Sequence, residues 1–404
     1  MNVLFLMLNY PYEKNREHMY KDLSRKFAEE GHNVYVAALL EDKYGEETFL
    51  QKEENHNILW IKAGDYFGVN KIKKGTTALL LPYYFNKNIN RYFNNVKFDL
   101  VIYPTPAITL YYTVKLIKKN NPSAKYMLVV KDIFPQNALD IGLMKKGVVY
   151  KVFRNIEEKI YQISDYLGCM SHKNIQHIAD HNDVHENKFF ILENWYSNLD
   201  YKSLEEEEVT NIKKNYDLEG KFVLTFGGNI SPANELEFLI QLAEKVENQG
   251  IKDISFIIIG RGTAKNKIES LITQKNLSCI KVFNFVPTEE YDQLIKMSNV
   301  GLINLNRNYT IPNIPSKTLN LMRIGKPILA ATDRNTDYKE LITEEANCGL
   351  WCETGDLDSY YKNLIKLKES KDLRETFSEN ARKYFLNHLT TSNAYGSIMK
   401  KIGE

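Results

Sequence analysis

The sequence predicts an α/β chain of two Rossmann-like, doubly wound domains in tandem. Strand-length apolar runs alternate with helical patterns along nearly the whole chain, a repetition that argues for parallel sheets covered on both faces. The alternation breaks after Asn194-Trp195, passes an acidic run at residues 205–208, and then restarts. A length of 404 residues agrees, because chains of that size divide into two or three domains.

In order, strands are expected at residues 3–8, 34–40, 100–103, 126–130, 166–170 and 189–192. Between the first two, residues 16–30 form an amphipathic helix with Met19, Leu23 and Phe27 on one face and Gly31 as its stop. The acidic run reads as a linker surface. The second series has strands at 222–226, 254–259, 280–285, 300–305, 327–332 and 349–351, each followed by a helical pattern. The domains are thus 1–198 and 199–372, with the closing helices at 373–404.

Composition sets bounds. Charge is nearly balanced at +2, so bulk electrostatics select no partner class. No run approaches the roughly 18 apolar residues that span a bilayer. The apolar opening at residues 3–8 is too short for a cleavable signal and runs into Asn9-Tyr10-Pro11. The cysteines Cys169, Cys279, Cys348 and Cys352 are few and fit a reducing cytoplasm. Cys348 and Cys352 would make half a metal site, but no His or Cys pair stands nearby.

The stretch 301–332 is the most informative. It reads as a strand, a polar loop, a short helix and a second strand. Pro315 stands at the helix entrance, Ser316 is the expected cap, and Gly325 ends the helix before Lys326-Pro327. A helix N-terminus at the carboxyl end of a parallel strand suits a phosphate. Lys317, in the first turn, opposes the helix dipole unless an anion binds there; a surface lysine in an ordinary βα loop is the plainer reading.

Pro315-Ser316-Lys317 and, one helix later, Gly325-Lys326-Pro327-Ile328 resemble the donor-binding signature of bacterial family 4 glycosyltransferases of the GT-B fold. The likeness is strongest to the capsule and O-antigen branch, with its N-acetylfucosaminyltransferase-like members. It implies two domains facing a cleft, with the closing helices crossing back to the first domain. It also implies a nucleotide-sugar donor without a metal cofactor, and retention at the anomeric carbon. Consistent with that, Asp356-Leu357-Asp358 opens a helix and reads as a cap.

Other segments extend the resemblance. Gly227-Gly228-Asn229-Ile230 supplies the glycine turn for close backbone approach, although Ser231-Pro232-Ala233-Asn234 lacks the family's basic residue. Gly260-Arg261-Gly262 is similar to the family's Gly-x-Gly, with Arg261 directed to the diphosphate; a tight turn with a solvated arginine is the plainer reading. Lys265 and Lys267 fit an exposed helical face. Phe285 and Val286 fall in the loop that in the family holds the base, where a strand end is the plainer reading, and Ser316 and Thr318 flank Lys317. The family's paired glutamates fall by register on Pro312 and Asn320, so neither carboxylate is present and Asn320 is left as an uncharged partner for the ribose.

In the first domain, Lys131-Asp132-Ile133-Phe134-Pro135-Gln136 resembles the branch's Asp-x-x-Pro-Glu segment, with Gln136 in place of Glu. Asp132 is the candidate that orients or deprotonates an acceptor hydroxyl, or else caps the following turn. Arg16 and His18 are expected on the acceptor side. His32 in a turn, and Glu157, Tyr161, Ser164, Asp165, Ser171 and Trp195, read as framework.

Residues 66–98 contain no Asp or Glu and interleave Lys71, Lys73, Lys74, Lys87, Arg91 and Lys97 with aromatic and leucine residues. Such a stretch favours an anionic leaflet; a buried helix with solvated lysines is the alternative, and no RNA-binding motif accompanies it. The expectation is a retaining, metal-independent enzyme, peripheral at the inner face of the cytoplasmic membrane. It would move a sugar, an N-acetylated or deoxy hexosamine, from a UDP-sugar to a polyprenyl-diphosphate-linked saccharide. Two rivals share the fold: a sugar-nucleotide epimerase, and a degenerate, non-catalytic partner subunit.

Overall fold

A computed structural model describes residues 1–13, 16, 18–198, 204–284 and 286–403. The chain forms two compact units, residues 1–197 with 390–404, and residues 198–389. The first unit holds β1 (Asn2–Met7), β2 (Asn33–Leu40), β3 (Phe49–Lys52), β4 (His56–Lys62), β5 (Leu100–Pro104), β6 (Lys125–Val130), β7 (Tyr166–Cys169) and β8 (Phe189–Ile191). Their order is β3-β4-β2-β1-β5-β6-β7-β8, and every pairing is parallel except β3 with β4. The order reverses between β1 and β5, so the crevice of this sheet opens where the chain leaves those strands.

Strands β3 and β4 were not expected. β3 has only four residues and the β4 run Ile58–Ile61 is polar-flanked, but β4 sits in register with β2 from Val34↔His56 to Leu40↔Lys62. That pairing leaves Leu59 and Ile61 wholly buried. The first helix is Met19–Glu29, shorter than the expected 16–30. It buries Leu23 and Phe27, and Phe27 meets Phe5 of β1 edge-on at 5.7 Å.

The second unit holds β9 (Phe222–Gly227), β10 (Ile254–Ile259), β11 (Ile280–Phe283), β12 (Val300–Asn304), β13 (Ile328–Thr332) and β14 (Gly349–Glu353). All are parallel in the order β11-β10-β9-β12-β13-β14, which is the doubly wound dinucleotide-type order with its switch point between β9 and β12. All six residues of β10 are buried, as a strand covered on both faces requires.

Three local expectations change. The acidic run at 205–208 is not a linker surface: Glu205 and Glu208 form a reciprocal capping box on the helix Glu206–Asn215, and carboxylates suit that helix end. Ser316 does not cap its helix, because its own backbone is already helical and its side chain makes no cap bond. Nor do the closing helices act together. Helix Lys371–His388 stays with the second unit, burying Phe377, Ala381 and Phe385, while Thr391–Gly403 places Ala394 and Ile398 in the core of the first. Gly325 does end its helix, in the left-handed region at φ 69°. Asp356 caps Leu357–Glu369 by accepting from the Ser359 amide at 3.0 Å.

Candidate active site

The loops that leave β9 and β12 flank the switch point of the second sheet, and they carry most of the expected donor residues. After β9 the backbone turns at Gly228, φ 132°, a conformation that side-chain-bearing residues rarely adopt. The loop after β10 lies directly on it. A Cβ on Gly260 would stand 1.9 Å from the Gly228 carbonyl oxygen, and one on Gly262 would stand 2.1 Å from that of Ile230. The Gly-Arg-Gly spacing is therefore needed for two loops to touch. Ile230 donates its amide to the Arg261 carbonyl at 2.9 Å and seals the contact.

Lys317 opens the helix Lys317–Ile324. Its amine lies 3.9 Å from the centre of the Phe226 ring and donates to Asn234 Oδ1 at 2.7 Å. Asn234 in turn donates to the Asn229 carbonyl at 2.8 Å, so one buried side chain joins the lysine to the glycine loop. Burial pushes the amine down to about 7. An amine held this way gains from an anion, and the free space over Gly228 lies against its Cε. Asn234 occupies the segment where the sequence offered no basic residue, and its part shows only in three dimensions.

A cavity of about 420 Å³ adjoins this loop, lined among others by Gly228, Asn229, Gly260, Arg261, Val286 and Tyr291. Four of these were expected site residues; Tyr291 was not. Its ring crosses Gly227, where a Cβ would meet the hydroxyl at 2.2 Å. Burial raises its phenol to about 12, with the nearby Asp292 charge adding to the effect and Asn320 opposing it. The Asn320 carbonyl oxygen accepts from Arg323 Nε at 3.1 Å and Nη2 at 2.8 Å, and Arg323 pairs with Asp292 at 3.2 Å. The position where the family has a glutamate is thus one member of a network.

Other expected residues are placed differently. Thr318 turns its hydroxyl to that of Tyr338 at 2.7 Å, both buried, which makes it a packing residue and not a ligand group. Pro315 is buried and Ser316 exposed at the helix entrance. Lys267 is exposed and pairs with Glu237 at 2.7 Å, whereas Lys265 is half-buried, pairing with Glu269 at 3.3 Å and donating to Asn284 Oδ1. Phe285 lies outside the described residues.

In the first unit, Asp132 follows β6 and burial raises its pKa, opposed by Lys131. It does not cap the next helix, which begins after Pro135 with no side-chain cap bond. His18 is the N-cap residue of Met19–Glu29, and burial lowers its ring to about 4, with Arg16 and Lys21 adding to the effect. Arg16 is exposed and reaches Glu13 at 3.9 Å. The framework residues have internal partners: Glu157 accepts from Tyr161 at 2.8 Å and Arg154 at 3.0 Å, and Trp195 donates to the Met19 carbonyl at 2.6 Å.

Comparison with known proteins defines the class. The fold is that of GT-B glycosyltransferases. Anabaena HepE, solved in complex with UDP, is similar over 100% of both chains with a TM-score of 0.72 at 12% identity. The family model for glycosyl transferases group 1 matches residues 208–384, a stretch that lies within the second unit. WbjE of Pseudomonas aeruginosa, described as a probable glycosyltransferase, is 23% identical over 233 residues, 57% of each chain. WcaI of Escherichia coli K12, described as a "putative colanic acid biosynthesis glycosyl transferase", is 23% identical over 250 residues. The matched stretches span 57% and 60% of those relatives' lengths.

Proposed function

We propose that this protein is a retaining glycosyltransferase that moves a sugar, an N-acetylated or deoxy hexosamine, from a UDP-sugar to a lipid-diphosphate-linked saccharide in capsule or O-antigen synthesis. The carrying observation is Lys317, a buried amine tied through Asn234 to the glycine loop at the switch point, a loop that itself lines an open cavity. A departing diphosphate develops charge there, and a preorganised cation with loop amides would neutralise it. HepE was solved with UDP, which supports that base. WcaI is described with colanic acid biosynthesis, which supports the pathway class. On this reading Arg261 reaches the same phosphates, Asp132 orients the acceptor hydroxyl, and the reaction needs no metal.

The membrane reading has its own support. Helix Lys71–Phe93 buries Leu81 and Phe85 but leaves Leu79, Leu80 and Tyr83 at 72%, 50% and 61% exposure. On another helix, Val148, Val149 and Val152 are exposed beside Lys145, Lys146 and Lys151, and residues 141–156 contain no acid. Apolar side chains among cations suit an anionic leaflet at about 1 kcal/mol per cation. Among the described residues no helix is long and apolar enough to cross a membrane. We place the protein peripherally, at the inner face.

One observation favours a second reading, a non-catalytic partner subunit. The Asn320 carbonyl oxygen is already taken by Arg323, so it offers the ribose less than a carboxylate would. Calorimetric titration with UDP, GDP and ADP, without metal, separates the two. Micromolar binding of UDP supports the transferase, and no binding of any nucleotide leaves the partner reading.

A further inference from the structure

A second group of unmet polar atoms lies in the first unit, around the carboxyl ends of its strands. Lys131 leaves β6, Trp195 follows β8, and His18 and Tyr20 open the helix after β1. Lys131 is arranged the wrong way round for a lysine near a surface. Its residue keeps partial exposure, yet Nζ is buried and, among the described residues, meets no hydrogen-bond acceptor. Lysines normally bury the stem and keep the ammonium in water.

The amine sits 4.6 Å from the centre of the Trp195 ring. That ring is held by its own bond to the Met19 carbonyl and by Tyr20, edge-on at 5.4 Å. The Tyr20 hydroxyl and His18 Nδ1 are also buried without hydrogen-bond partners among the described residues, and their rings stand 5.8 Å apart. Burial pushes the Lys131 amine down to about 7, while Cys169, Glu193 and Asp132 work in the other direction. Unmet buried donors cost free energy, and a methionine would cover Trp195 without that cost. All three groups can donate. The partner they lack is rich in acceptors.

We propose that Lys131, with the Tyr20 hydroxyl and His18 beside it, forms an anion-binding subsite that receives a phosphate oxygen at the carboxyl edge of the first sheet. In the unliganded chain the amine is parked on Trp195. Its flexible stem swings it to an arriving phosphate, where it is fully charged. The subsite deepens the acceptor reading above and rests on it. The phosphate belongs to the lipid diphosphate, next to the sugar whose hydroxyl Asp132 orients.

The probe is inorganic pyrophosphate, titrated into the full chain already saturated with UDP, with heat and tryptophan fluorescence as readouts. Lys131→Met is expected to weaken pyrophosphate binding at least tenfold and Lys131→Arg to recover part of it, with UDP affinity unchanged in both. The fluorescence response to pyrophosphate should vanish in Trp195→Phe. Should Lys131→Met fail to fold, Lys131→Gln removes the charge and keeps a donor. Equal pyrophosphate affinity in wild type and the uncharged variant overturns the subsite, as does no binding to wild type. Loss of UDP affinity in Lys131→Met overturns the acceptor assignment and gives the phosphate to the donor. If UDP does not bind wild type, the transferase reading fails, while the pyrophosphate comparison still decides the role of Lys131.

Discussion

Lys317 donates to Asn234 across 83 positions of sequence, at 2.7 Å, and that bond links the helix after β12 to the loop after β9. Removing the amine should remove the donor site. Lys317→Ala is expected to weaken UDP binding by about 2–3 kcal/mol, roughly thirtyfold or more, and to abolish turnover with the fold intact. Asn234→Ala leaves the cation but frees its position, and should cost about tenfold in affinity with a thermal midpoint a few degrees lower. Calorimetry with UDP and thermal melts check both; full turnover by Lys317→Ala would remove it from the site.

The same amine sets a pH dependence. In the free protein Lys317 titrates near 7, because burial lowers it. A bound diphosphate favours the charged form and raises that value. UDP affinity is therefore expected to be flat below pH 7 and to fall as pH rises above it, with proton uptake on binding in that window. Titrations at pH 6.5 and 8.5, in buffers of different ionisation enthalpy, read both effects. An affinity that rises with pH contradicts the assignment.

Tyr291 and Gly227 should behave as a coupled pair. Gly227→Ala places a methyl where the Tyr291 ring lies, with contacts of 2.2, 2.5 and 2.7 Å to the hydroxyl and ring carbons. It is expected to destabilise the second unit by about 1–3 kcal/mol, as overpacking does, and to weaken UDP. Gly227→Ala with Tyr291→Ala should recover stability but not affinity. Denaturant unfolding of the four combinations measures the coupling; additive costs would mean that the ring is free to move aside.

Leu79 and Leu80 are exposed enough to replace without loss of core. Leu79→Ser with Leu80→Ser is expected to change folding stability by less than about 0.5 kcal/mol per site. It should reduce sedimentation with anionic vesicles severalfold, and high salt should reduce it further. Unchanged vesicle binding would move the contact away from this helix.

Much of the fold was legible because hydrophobic periodicity is local. The buried run of β10 matched its strand residue for residue, and Gly325 marked its helix end through its own φ preference. Gly228, Asn229, Arg261 and Lys317 were legible as a signature within short windows. Strands β3 and β4 were not, since four to seven polar-flanked residues become a strand only by pairing with β2 and each other.

By itself the sequence determined the α/β class, the restart into a second doubly wound series, and the lysine and glycines that a donor site needs. Tertiary structure alone decided which unit owns each closing helix, that Thr318 faces Tyr338, and that Asn234 meets Lys317, Tyr291 crosses Gly227 and Lys131 lies over Trp195. The physical reason is one of range. A strand or a cap is chosen by neighbours along the chain, but whether a buried polar atom is satisfied depends on side chains brought from distant segments.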